Sequence, residues 1–201
     1  MATVHGRSYY NIICALKLME LQFYSLSPEE AAASNAKVII TTRDEAGIVN
    51  RKGVVMFDTE LEKYPAIAKA KILRNIFGER ADDQLVIGLD PGCRIGISAT
   101  YLHQEILSTV ESSPQDAIDQ VSAMLGGIES RKKVVKIGDG NIAMARHIAR
   151  MLKIKFHEHV SVEIVDEHGT SQNTEANRRG ARDRSSARTI AFRTGKSFTM
   201  K

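Results

Sequence analysis

Two hydrophobic periods alternate along the chain, and their succession divides it into two blocks that meet near residues 80–84. In the first block a short apolar segment at 3–5 precedes a helical spacing over 9–21, with Ile12, Ile13, Leu16 and Leu21 on the apolar side. Ser27, Pro28 and Glu30 have the types and spacing of an N-cap, a first-turn proline and the acid of a capping box, which predicts a short helix there. A β-branched run over 38–42 and an apolar run over 54–57 predict strands, and a helix over 66–77 ends at Gly78. The block reads as a small α/β unit over 1–82. It holds neither a glycine-rich phosphate loop nor an acid/base constellation. Tyr9 and Tyr10 could stack on a base, but an aromatic pair opening an amphipathic helix is the usual mark of core or interface.

The second block, 83–201, is more regular. Strands over 84–90, 95–101 and 104–110 are joined so tightly that only an antiparallel meander fits. Ser113 and Pro114 open a helix that stops at Gly126 and Gly127. A strand over 133–138 follows, then a helix over 141–153 with Ile142, Ala145, Ile148, Ala149 and Leu152 on one stripe. A strand over 161–166 and a helix over 174–192 complete the order β-β-β-α-β-α-β-α, an α/β fold with a mixed five-stranded sheet.

Composition narrows the class. With 43% hydrophobic and 26% charged residues in 201, the chain has the make-up of a globular protein. Its most apolar stretch, 9–26, is broken by Lys17, Glu20 and Gln22, well short of the roughly 20 apolar residues of a membrane span. Lys17 and the lack of a small-residue cleavage site argue against a secretory signal, so a cytoplasmic location is expected. Cys14 and Cys93 show no metal-ligand or disulfide spacing. The net charge of +4 is unevenly spread. Over 176–201 eight basic residues face one acid, Asp183, which gives +7 there and −3 elsewhere. Arg178, Arg182, Arg184 and Arg188 lie in this segment and suit phosphates, although an Arg-rich helix face is also a common solvated surface.

The chemistry gathers in the second block. Helical crossovers should make its first, fourth and fifth strands parallel, with their carboxyl ends along one edge about 4.8 Å apart per strand. Asp90, Asp139 and the pair Asp166 and Glu167 stand at those three ends. Ligand sites of open α/β sheets lie at this edge, although a lone acid after a strand is often a turn residue. On the last helix Gly180, Asp183, Ala187, Ile190 and Ala191 share one stripe, so Asp183 should face the sheet. An ion pair with Arg179, or with another arginine nearby, is the competing explanation. Carboxylates converging without a cation among them repel one another, and a hard divalent cation relieves that repulsion.

Other residues carry two readings each. His168 could shuttle protons or contact phosphate, or be an exposed loop residue. Thr170 and Ser171 suit phosphate contacts or the boundary of the last helix. His147 reads as solvated beside Arg146 and Arg150, and His157 and His159 as a half-exposed approach to the fifth strand. Cys93 lacks an identifiable activating base, and Cys14 sits on an apolar stripe.

The stretch Ile87-Gly88-Leu89-Asp90-Pro91-Gly92 with Ile95-Gly96, the run Val165-Asp166-Glu167 followed by Thr170, and Asp183 ahead of Ser186-Ala187 together resemble the RuvC/YqgF-like branch of the ribonuclease H-like superfamily. The element order is similar too, over a little more than half the chain. The combined layout looks like an archaeal group with an added N-terminal α/β domain. The resemblance implies a metal-dependent nuclease of structured or branched nucleic acid, a DNA junction or a structured RNA, using two Mg²⁺ or Mn²⁺ ions. By position, Asp90 would bridge the metals, Asp139 would take the fourth-strand place and Asp183 the last-helix place. Asp166 and Glu167 match the fifth-strand acid motif, with Arg178, Arg182, Arg184, Arg188 and Thr170 toward the substrate. Junction resolvases of the branch usually have glutamate where Asp139 stands, and the related bacterial proteins arginine where His168 stands. The alternatives are a nucleic-acid-binding protein with a degraded site, and an actin-like phosphotransferase reading of Asp90-Pro91-Gly92 and Asp139-Gly140, a fold that needs far more chain. The N-terminal block reads as a recognition or oligomerisation module, the latter giving a homodimer.

Overall fold

The computed structural model describes residues 1–50, 53–78, 80–167 and 179–199. The chain separates into two compact units, Met1–Arg80 and Ala81–Lys201.

The first unit is built on a two-stranded parallel sheet, β1 (Val38–Thr41) and β2 (Val54–Phe57), with Val38 opposite Val54. Around it lie α1 (Gly6–Leu18), α2 (Pro28–Ala33), α3 (Ala46–Val49), α4 (Asp58–Lys63) and α5 (Pro65–Phe77). Successive strand residues face opposite ways, so β1 separates two small cores. Ile40 joins Ile12, Leu16, Met56 and Ile72, whereas Ile39 joins Ala2, Ala31 and Val49. The capping box at the head of α2 is formed: Ser27 Oγ accepts from the Glu30 N–H at 3.2 Å and the Glu30 carboxylate from the Ser27 N–H at 2.8 Å. Gly78, at φ 72°, closes α5 in a conformation that favours glycine. The expected helix over 9–21 begins and ends three residues earlier, and the short helices α3 and α4 carry no apolar stripe long enough to be read. Neither tyrosine of the expected aromatic pair is core: Tyr9 is 38% and Tyr10 68% exposed.

The second unit is a mixed α/β layer structure. Its strands are β3 (Gln84–Pro91), β4 (Ile95–Tyr101), β5 (Gln104–Glu111), β6 (Lys132–Gly138), β7 (Ser161–Val165) and β8 (Lys196–Ser197), in the sheet order β5-β4-β3-β6-β7-β8. The first three form the antiparallel meander, turned between β4 and β5 by Leu102 and His103, both at positive φ. β3, β6 and β7 run parallel as neighbours, as the crossovers require. Among the described residues the sheet has six strands rather than the expected five. The extra one, β8, follows the last helix and pairs antiparallel with β7 through two residues, too few to show a period.

Among the described residues three helices cover the sheet. α6 (Pro114–Gly127) and α7 (Ile142–Phe156) pack on one another, and α7 also packs against β6 and β7. α8 (Arg179–Phe192) lies on the other face, across β3, β4, β5 and β6. Any start of that helix before Arg179 falls outside the described residues. Ser113 caps α6 through the Asp116 N–H, and Asn141 caps α7 through the Met144 N–H at 3.1 Å. The core lies between these layers, with Ile87, Leu89, Ile97, Val135, Ile137, Ile148 and Ile190 fully buried. Among the described residues no helix is long and apolar enough to cross a membrane.

Candidate functional site

Glycines set how closely α8 approaches the sheet. A Cβ on Gly88 would collide with the carbonyl oxygen of Ala187 and stand 2.8 Å from the Ala191 nitrogen. One on Gly96 would collide with the carbonyl oxygen of Asp183 and lie 3.4 Å from the Ala187 Cβ. Two positions along a strand return to the same face, so Asp90 points to the side that Gly88 opens for α8. Gly96 is also the register partner of Asp90. The helix backbone thus rests on bare α-carbons, and Asp183 arrives beside Asp90. Ala187, Ile190 and Ala191 are buried along the same stripe.

Asp90 is the electrostatic centre of the edge. Burial first, then the negative charges of Glu167 and Asp183, push its carboxyl up from 3.8 to about 6. The Ser186 hydroxyl, three residues beyond Asp183 on α8, donates to the Asp90 carboxylate and acts in the opposite sense.

Glu167 reaches the site from the end of β7. The parallel ladder continues past the strand: the Asp139 N–H donates to the Val165 carbonyl at 3.0 Å, and the Glu167 N–H donates to Asp139 Oδ1 at 3.0 Å. Its carboxylate then folds over the end of β6 and occupies the space that a Cβ on Gly138 or Gly140 would fill. Gly138 follows Ile137, the register partner of Leu89, so it lies one strand away from Asp90. Burial raises the Glu167 carboxyl above its usual range and Asp139 adds to this, whereas the Gly140 N–H and the Arg193 guanidinium act against it. Arg193 itself donates to the Asp166 carbonyl at 3.0 Å, and Lys136 donates to the Arg193 carbonyl at the end of α8.

The structure therefore groups Asp90, Asp183 and Glu167, with Asp139 behind Glu167. Asp166, expected as a site acid, is exposed, and its carboxylate is not among the groups acting on Asp90. The reason is the strand's alternation: Glu163 and Val165 are register partners of Lys136 and Gly138 on the α8 side, and two residues further this side receives Glu167. Arg182, Arg184 and Arg188 are exposed on α8. Arg178, His168, Thr170 and Ser171 lie outside the described residues, as does the side chain on which an Asp183–Arg179 ion pair would depend. His147 is exposed on α7, and His157 and His159, on the approach to β7 as expected, sit in a 3₁₀ turn and are exposed rather than half-exposed. Cys93 is exposed and Cys14 only partly buried. Ser186 is a site contact that the charge and spacing of the sequence do not reveal, because a serine on an Arg-rich helix reads as surface.

The donor chemistry suits a hard divalent cation: three carboxylates, two of which raise the proton affinity of the third. As placed, they are coupled by charge and not yet gathered into a cage. Among the described residues no three His, Cys, Asp or Glu side chains stand close enough together to hold a metal ion. The chain matches no family model, no curated protein and no solved structure.

Proposed function

We propose that the second unit is a ribonuclease H-like domain of the RuvC/YqgF type and that the protein is a metal-dependent nuclease of structured or branched nucleic acid. The observation that carries this reading is the close seating of α8 on Gly88 and Gly96, which brings Asp183 beside Asp90 on the edge that Glu167 also reaches.

Asp90, Asp183 and Glu167 are the residues that would hold divalent cations. Bound Mg²⁺ or Mn²⁺ would supply charge neutralisation at a phosphodiester and an acidified water. Ser186 orients the Asp90 carboxylate through its hydroxyl. Asp139 holds the Glu167 backbone and thereby its reach over Gly138. Arg182, Arg184 and Arg188 offer guanidinium groups for the phosphate backbone beside the acids.

One observation favours a second reading, a nucleic-acid-binding protein without catalysis: no three of the described acids form a ready ligand set. Incubating the full chain with Mg²⁺ or Mn²⁺ and a panel of junction, flap, single-stranded and structured RNA substrates separates the two. Cleavage that disappears in Asp90→Asn supports the nuclease. No cleavage of any substrate, or cleavage unchanged in Asp90→Asn, overturns it, and salt-dependent binding that ignores Asp90→Asn then favours the binding protein.

A further inference from the structure

The outer side of α7 is a second basic surface, on the face of the sheet away from α8. Ala145, Ile148, Ala149 and Leu152 turn inward, leaving Arg146, His147, Arg150 and Lys155 exposed. The helix contains no acid over Ile142–Phe156. At its far end the Lys153 ammonium lies 3.6 Å from Glu158, which is 97% exposed. The acids of the adjacent α6 are engaged at home: Asp116 accepts from the Ser113 hydroxyl at 2.6 Å, and Asp119 from the Gln115 amide at 3.1 Å. Among the described residues neither Arg146 nor Arg150 makes an ion pair. Four residues apart on one face, Arg146 and Arg150 leave the helix at points offset by about 6 Å along its axis, a rise over which one strand of a duplex carries roughly two phosphates.

We propose that this face of α7 binds the phosphate backbone of a nucleic-acid duplex, so that the domain presents two backbone-binding surfaces on opposite sides of its sheet. Uncompensated arginines suit phosphate oxygens, which accept two parallel N–H bonds from one guanidinium. A second copy presenting the same face would set like charges against each other, which works against a symmetric dimer through it. A branched or folded nucleic acid has more than one arm, and the second surface gives another arm a place to lie. The inference rests on nucleic acid being the partner, and it is independent of metal and of cleavage.

The test is anisotropy of a fluorescent duplex and of a fluorescent RNA hairpin with the full chain in EDTA, between about 50 and 200 mM salt. Arg146→Gln/Arg150→Gln should weaken binding on the order of tenfold or more and reduce the salt slope by about 1.8, the share of two phosphate contacts. Arg146→Lys/Arg150→Lys should restore most of the affinity, which separates lost charge from lost fold. Arg182→Gln/Arg184→Gln on α8 provides the comparison. If that α8 variant loses binding while the α7 glutamine variant matches wild type, the α7 surface is overturned, nucleic-acid binding at α8 stands, and a protein becomes the remaining partner for α7. If wild type binds neither probe, both readings fall.

Discussion

The carbonyl oxygen of Asp183 lies where Gly96 would carry a Cβ, and Gly96 is the antiparallel register partner of Asp90. One backbone contact thus decides whether the two acids share a site.

Glycine substitutions should divide into two kinds. On Gly88 or Gly96 an added methyl meets helix backbone, which cannot swing aside, so Gly88→Ala and Gly96→Ala should each destabilise the fold by about 1–3 kcal/mol, read as a lower denaturant midpoint. On Gly138 the methyl meets the Glu167 carboxylate, a side-chain end that can move, and the Cδ1 of the buried Ile190 rather than helix backbone. Gly138→Ala should therefore cost less stability than either while displacing Glu167, and cleavage should fall. Equal stability losses in all three variants would contradict the close seating of α8.

Between its ordinary 3.8 and about 6, Asp90 is protonated in the folded chain and ionised in the unfolded one. The folded state then binds more protons, so its stability without metal should decline as pH rises through that window. The decline from this group is about 1 kcal/mol once screening of a partly exposed carboxylate is allowed for. Asp90→Asn should flatten the profile and raise stability at neutral pH. Urea melts at pH 4, 5, 6 and 7 measure it, and an unchanged slope in the variant would assign the effect elsewhere.

Removing the Ser186 hydroxyl takes away a donor that favours the ionised form of Asp90. Ser186→Ala should move the Asp90 titration still higher, which carboxyl NMR would follow directly. A midpoint that stays in place, or falls, would remove Ser186 from the site.

The two acids that follow β7 should behave differently. Glu167→Gln should lower cleavage at least about tenfold, a loss on the scale of altered metal surroundings, whereas Asp166→Asn should remain near wild type. The reverse order would mean that the bound state draws Asp166 inward.

Much of this architecture is legible in the chain before any coordinates. The short joints around residues 92–94 and 102–103 imply the meander, and the helical crossovers imply that β3, β6 and β7 lie parallel with Asp90, Asp139 and Glu167 at one edge. What is not legible turns on single residues. An expected strand end at Asp166, one residue past the observed Val165, leaves the parity of the next two acids undecided, and parity alone separates Glu167 from Asp166. β8 is formed by two residues whose pairing depends on where α8 ends, and α3 and α4 are too short for a period to emerge. The need for bare α-carbons at Gly88 and Gly96 becomes visible only when α8 is seen to rest on them.

The central claim is that Asp90, Asp183 and Glu167 form one divalent-cation site, and calorimetric titration of Mn²⁺ into the full chain tests it most directly. Wild type should bind saturably, with proton release greater at pH 6 than at pH 8 because Asp90 is still partly protonated at about 6. Asp166→Asn should bind as wild type does, and Asp90→Asn should lose the heat. No binding by wild type, or equal binding by Asp90→Asn, would contradict the account.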